Sequence, residues 1–112
     1  MVYEISGPLF FGAAEKAMST LRENSQGLQA VILHMRGVPT MDISGLVALK
    51  SALVSLHKQP ILIILADVQE QPMTVIKRAG LIPEAGKLAI CPDLAASIEL
   101  AKTHVESVYK FF

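Results

Sequence analysis

The sequence predicts an α/β fold: a mostly parallel sheet of four or five strands, an N-terminal antiparallel edge and about four helices. Three observations carry this. Residues 30–35 and 61–66 are continuous apolar, β-branched runs of the kind covered on both faces of a sheet. Segments at helical spacing fall between and after them. Strands that alternate with helices imply parallel pairing through right-handed crossovers. With 112 residues, the chain is read as a single domain spanning residues 1–112.

Taken in order, Val2, Tyr3, Glu4, Ile5 and Ser6 alternate as in a half-buried strand. Gly7-Pro8 reads as a turn and Leu9-Phe10-Phe11 as a second short strand, so that the first eleven residues form a hairpin or a bent strand. Residues 13–23 predict a helix with Ala13, Ala14, Ala17, Met18 and Leu21 on one face. After the strand at 30–35, Gly37 and Pro39 break the chain. A second helix follows over 42–58, with Asp42 as its N-cap. Its buried stripe is expected to comprise Ile43, Leu46, Leu49, Leu53 and Leu56, widened by Val47, Ala52 and Val54. Gly45 is costly so early in a helix, which implies either a close backbone approach or tight packing of its neighbours there. A third helix over 71–79 has Pro72 in its first turn, and Gly80 supplies a C-terminal stop. Residues 88–91 form the last strand. Asp93 caps the final helix, whose stripe is Leu94, Ile98, Ala101, Val105 and Val108. Tyr109, Phe111 and Phe112 make an apolar tail.

Composition narrows the function. Ten Lys and Arg balance ten Asp and Glu, which argues against nucleic acid as a partner and against a polybasic membrane module. Apolar residues at 52% and charged residues at 18% exclude disorder. One cysteine excludes an internal disulfide and fits a reducing compartment. No apolar run approaches the roughly 20 residues of a membrane span, and Glu4 and Pro8 interrupt any N-terminal signal. The expectation is a soluble, cytoplasmic-type domain, and one that could have been cut from a larger membrane protein.

Catalytic chemistry is not evident. His34, His57 and His104 have no second ligand at metal spacing, and Cys91 has no CxxC partner. No P-loop, GxGxxG or GxSxG motif occurs. Asp42 and Asp67 both follow strands and so face the sheet edge where α/β ligands bind. A phospho-accepting receiver would also need an acidic pair after its first parallel strand, and this chain has none there. That leaves the loop of Pro39, Thr40, Met41, Asp42, Ser44 and Gly45, which feeds a helix N-terminus whose amides suit a small anion.

Met41-Asp42-Ile43-Ser44-Gly45-Leu46, followed by Val47-Ala48-Leu49, resembles the signature loop and second helix of STAS domains. The opening Gly7-Pro8-Leu9-Phe10-Phe11-Gly12 is similar to that of the STAS domains at the cytoplasmic C-terminus of SulP/SLC26 anion transporters. A more distant likeness is to anti-sigma factor antagonists, in which the residue after the loop Asp is a phosphorylated serine. Here that position is Ile43, so the resemblance implies no such switch. Ser44 is the neighbouring phosphosite candidate, although a first-turn hydroxyl bonded to backbone is the simpler reading.

The resemblance implies a non-catalytic regulatory and interaction domain of a SulP-type transporter for sulfate, bicarbonate or a dicarboxylate. Its place would be the cytoplasmic side of the inner membrane. The implied partners are the transmembrane part of the same transporter and a cytoplasmic regulatory protein, with a homodimer formed through the parent transporter. No cofactor is expected. Two alternatives stand beside this reading: a free-standing partner-switching protein, and a STAS module binding a nucleotide or small anion.

Overall fold

A computed structural model describes residues 1–109. Four strands and four helices alternate: β1 (Val2–Ser6), α1 (Phe11–Asn24), β2 (Ala30–Gly37), α2 (Ile43–Leu56), β3 (Leu62–Ala66), α3 (Glu70–Arg78), β4 (Leu88–Cys91) and α4 (Leu94–Tyr109). The strands lie in the order β1-β2-β3-β4, and every pairing is parallel. Three crossovers of the same hand, each stepping the same way, set α1, α2 and α3 on one face. α4 follows the last strand and returns across the other face, where Leu94, Ile98, Ala101 and Val105 pack on Ala30, Ile32, Leu62, Ile64 and Ala66.

β2, β3 and β4 divide their side chains between two cores. Leu33, Ile63 and Leu65 join the larger core with Met18, Leu21, Leu49 and Ile76. The five residues of β3 are all buried, which is why their sequence shows no alternation. β1 is an edge strand with only Ile5 fully buried, and its alternation is correspondingly clear.

The expected N-terminal hairpin does not form, so the sheet has no antiparallel edge. Gly7 turns at φ +88°, and the chain then runs alongside the segment after β2. The Gly7 amide donates to the Gly37 carbonyl at 2.8 Å and the Leu9 amide to the Thr40 carbonyl at 2.9 Å. Leu9 makes a lone parallel bridge with Met41. Those bonds satisfy the backbone that a second strand would have satisfied, and Pro8 has no amide to contribute.

The second correction concerns α2. Its buried residues are Gly45, Ala48, Leu49, Ala52, Leu53 and Leu56. Ile43, Val47 and Val54, expected inside, are 77%, 57% and 70% exposed. The helix is apolar nearly all round, so spacing alone does not orient it. In α1 the buried face centres on Ala14, Met18 and Leu21, and Ala13, at its margin, is exposed.

The terminal signals are realised. Asp42 caps α2, its Oδ1 accepting from the Gly45 amide at 2.8 Å, and Asp93 Oδ1 accepts from the Ala96 amide at 2.7 Å. α3 ends with Gly80 at φ +75°. The Gly80 amide bonds to the Lys77 carbonyl and the Leu81 amide to the Ile76 carbonyl, the paired closure of a Schellman motif. Of the expected tail, Phe111 and Phe112 lie outside the described residues.

Candidate functional site

All four helix N-termini and the carboxyl ends of all four strands share one edge of the sheet, the edge at which open α/β folds bind ligands. The β2–α2 loop lies on this edge and is held from both sides. On the β1 side, Leu9 reaches it through the Thr40 bond and the Met41 bridge. On the α3 side, the Gln71 side chain takes both backbone groups of Met41. Its Oε1 accepts from the Met41 amide at 2.8 Å, and its Nε2 donates to the Met41 carbonyl at 3.1 Å. Gln69 Nε2 donates to the Arg36 carbonyl at 2.6 Å, pinning the loop's other end.

Gly45 sits where the close approach was expected. A Cβ there would overlap the Leu9 carbonyl oxygen and crowd the Met41 side chain. The start of α2 is therefore packed against the chain that follows β1, and only a residue without a side chain allows it.

The six candidate residues separate on this geometry. Pro39 and Asp42 are exposed, and Thr40 and Ser44 are half-buried. Met41 and Gly45 are buried, so they shape the loop and do not offer a surface. The Ser44 hydroxyl has no hydrogen bond among the described residues, contrary to the backbone-bonded role expected of it. The Asp42 carboxylate already occupies the first turn of α2, placing negative charge where an added anion would have to sit.

A second cluster lies on the same edge but on the α4 face. Glu4, His34, Ala66 and Cys91 are register partners in one row across the sheet. His34, with a side chain only 13% exposed, lies between two carboxylates: Nδ1 is 3.4 Å from Glu4 Oε1 and Nε2 is 3.6 Å from Asp67 Oδ2. Asp67 reaches back because its backbone is left-handed, φ +57°. Arg36 Nε stands 4.0 Å from the same Asp67 oxygen. The two acids meet opposite ring nitrogens, so they bracket the imidazole and do not converge with it on one point. Among the described residues no group of three or more His, Cys, Asp or Glu is arranged to hold a metal ion.

Neither Gln71 nor the Glu4–His34–Asp67 row was singled out from the sequence. Asp67 was placed at this edge, but the row needs the strand register, and nothing local to Gln71 marks it as a clamp.

This element order, with the capped Asp-x-Ser-Gly loop at the carboxyl edge, defines a small α/β module built on a four-stranded parallel sheet. The profile of the STAS domain matches residues 1–97, and the chain belongs to the STAS domain family. Its similarity runs to the transporter branch. Over 87 residues it is 31% identical to the Bacillus subtilis (strain 168) protein named "Putative sulfate transporter YvdB". That match takes in 77% of this chain and 16% of the other, so the chain spans about a sixth of that relative's length. A sulfate transporter family protein from Wolinella succinogenes superimposes with a TM-score of 0.80 at 28% identity, over 94% of this chain and 86% of that one. The STAS domain of a SulP transporter from Vibrio cholerae does so with a TM-score of 0.76 at 28% identity, over 95% and 83%. The four-stranded parallel sheet and four helices match these STAS structures.

Proposed function

We propose that this chain is the non-catalytic regulatory and protein-interaction domain of a SulP-type anion transporter, placed on the cytoplasmic side of the membrane. The observation that carries the reading is the near end-to-end likeness to the Vibrio cholerae SulP STAS domain. None of its described helices is long and apolar enough to cross a membrane, so transport itself falls to a transmembrane part, the first partner of this domain. Sulfate, bicarbonate and dicarboxylates are the candidate cargoes.

Contact with the transmembrane part or with a cytoplasmic regulatory protein is assigned to Pro39, Thr40, Asp42 and Ser44 and to the outer face of α2. Protein contact is favoured over a bound anion or nucleotide because Asp42 already caps the helix with its own carboxylate. Coupling to transport requires two arrangements of the domain against the transmembrane part, each favoured differently by the partner.

The first test is an immunoblot of fractionated source cells with an antibody to this chain. A membrane-fraction band far heavier than 12.1 kDa is expected. A soluble band near 12.1 kDa overturns the reading in favour of a free-standing partner-switching protein. In the intact transporter, Ser44→Glu should alter uptake of labelled anion into vesicles without altering the amount inserted. Unchanged uptake removes the loop from the mechanism.

A further inference from the structure

The outer face of α2 is more than scattered surface apolarity. Of the eight large hydrophobic residues exposed among the described ones, three lie on it and a fourth, Ile82, faces it across a groove. Ile43, Val47, Lys50 and Val54 follow one another at intervals of four, three and four, the spacing of a helix-pairing seam. The seam is about 16 Å long at the helical rise. Its C-terminal half opens into a groove of about 470 Å³ bounded by Lys50, Leu53, Val54, Leu81, Ile82 and Lys87.

The charge within the helix itself is of one sign. α2 contains no Asp or Glu, and its one charged residue, Lys50, stands in the middle of the seam. No carboxylate lies within 4.0 Å of the Lys50 ammonium among the described residues. Lys87 is 3.7 Å from Glu84, the one acid bordering the groove. His57 closes the floor, its Nε2 2.8 Å from the Lys87 carbonyl oxygen. A second copy would bring two Lys50 ammonium groups into one seam with no acid on either helix to offset them.

We propose that α2 and the α3–β4 connection form a docking surface for an acidic amphipathic helix of a partner protein, with a carboxylate of that helix meeting Lys50. The proposal rests on the reading that α2 faces a partner, and adds the partner's chemistry. The partner's apolar ridge fills the groove beside Val54 and Ile82, and the charge pair sets its register.

The probe is a synthetic amphipathic helical peptide with a leucine seam flanked by glutamates, with a lysine-flanked twin as its control. Each is titrated into the isotope-labelled 112-residue chain and followed by NMR. The glutamate peptide is expected to shift Val47, Lys50, Val54 and Ile82 and to bind at least about tenfold more tightly than its twin. Lys50→Glu, which leaves helix propensity nearly unchanged, should abolish that preference. Unchanged thermal melting of the variant rules out misfolding as the cause. Equal binding of the two peptides, or no shift at these four residues, overturns the proposal. So does a concentration-dependent dimer that Val47→Ser abolishes, which gives the face to a second copy. Binding to anionic phospholipid vesicles that Lys50→Glu abolishes gives it to a membrane and is equally fatal. Any of these results combined with an intact Ser44→Glu effect on uptake would remove this surface and leave the transporter assignment standing.

Discussion

The two faces of the sheet are built to different standards. The face under α1, α2 and α3 is covered by three helices, and Leu33, Ile63 and Leu65 on it are fully buried. The face under α4 has one helix for four strands. Beside β1 it leaves a groove of about 420 Å³ lined by Val2, Ile32, Ile98, Ala101 and Val105. Every titratable group of the Glu4–His34–Asp67 row is on this thinner side. Topology produces the asymmetry: same-handed crossovers that all step one way leave the second face to whatever chain follows the last strand. The lesson is that stability is concentrated on one face, while the other tolerates polar groups and change.

The sharpest test compares the faces directly. Ile63→Ala, in the three-helix core, should cost about 3–4 kcal/mol in urea unfolding, the usual range for a buried aliphatic truncation. Ile98→Ala, in the half-covered layer, should cost about half as much. Equal losses would mean that the two faces are equally packed. Gly45→Ala should follow at about 1–3 kcal/mol, because the new methyl group meets the Leu9 carbonyl and backbone must shift. A neutral result would show that the β1–α1 connection yields easily.

Smaller effects sharpen the contrast between the edges of the two layers. Asp42→Ala and Asp93→Ala each remove one N-cap and should each cost about 1 kcal/mol. If Asp42→Ala is neutral for stability but alters uptake by the intact transporter, its carboxylate serves the partner and not the helix. Val54→Ser, on the outer face of α2, should change stability by no more than about 0.5 kcal/mol. A larger loss would show that the seam is covered within the chain.

Much of this was legible in the residues, and where it was not the reasons are physical. Residues 61–66 predicted β3 because a strand buried on both faces has no alternation to hide. Asp93 and Gly80 marked helix ends because caps are local chemistry. Gly45 disclosed a close approach, though not that Leu9 makes it. Ile43, Val47 and Val54 were placed on the wrong side, since an apolar residue on every face of a helix carries no directional signal. The Gly7-Pro8 turn suggested a hairpin, but the acceptors for the Gly7 and Leu9 amides come from about thirty residues further along the chain. The candidate loop was found by pattern. Its Gln71 clamp and the His34 row depend on contacts between elements distant in sequence, where local propensity is silent.

The place of α4 has a consequence for how the chain folds as it is made. Each strand of the sheet pairs with the one synthesised before it, so the sheet can grow stepwise as the chain leaves the ribosome. Its three crossover helices arrive in step and cover one side. Ile32, Ile64 and Ala66 on the other side must wait for Leu94 and the turns that follow. Until then the nascent domain carries a bare apolar sheet surface, and a pause or truncation before α4 would release a species primed to aggregate.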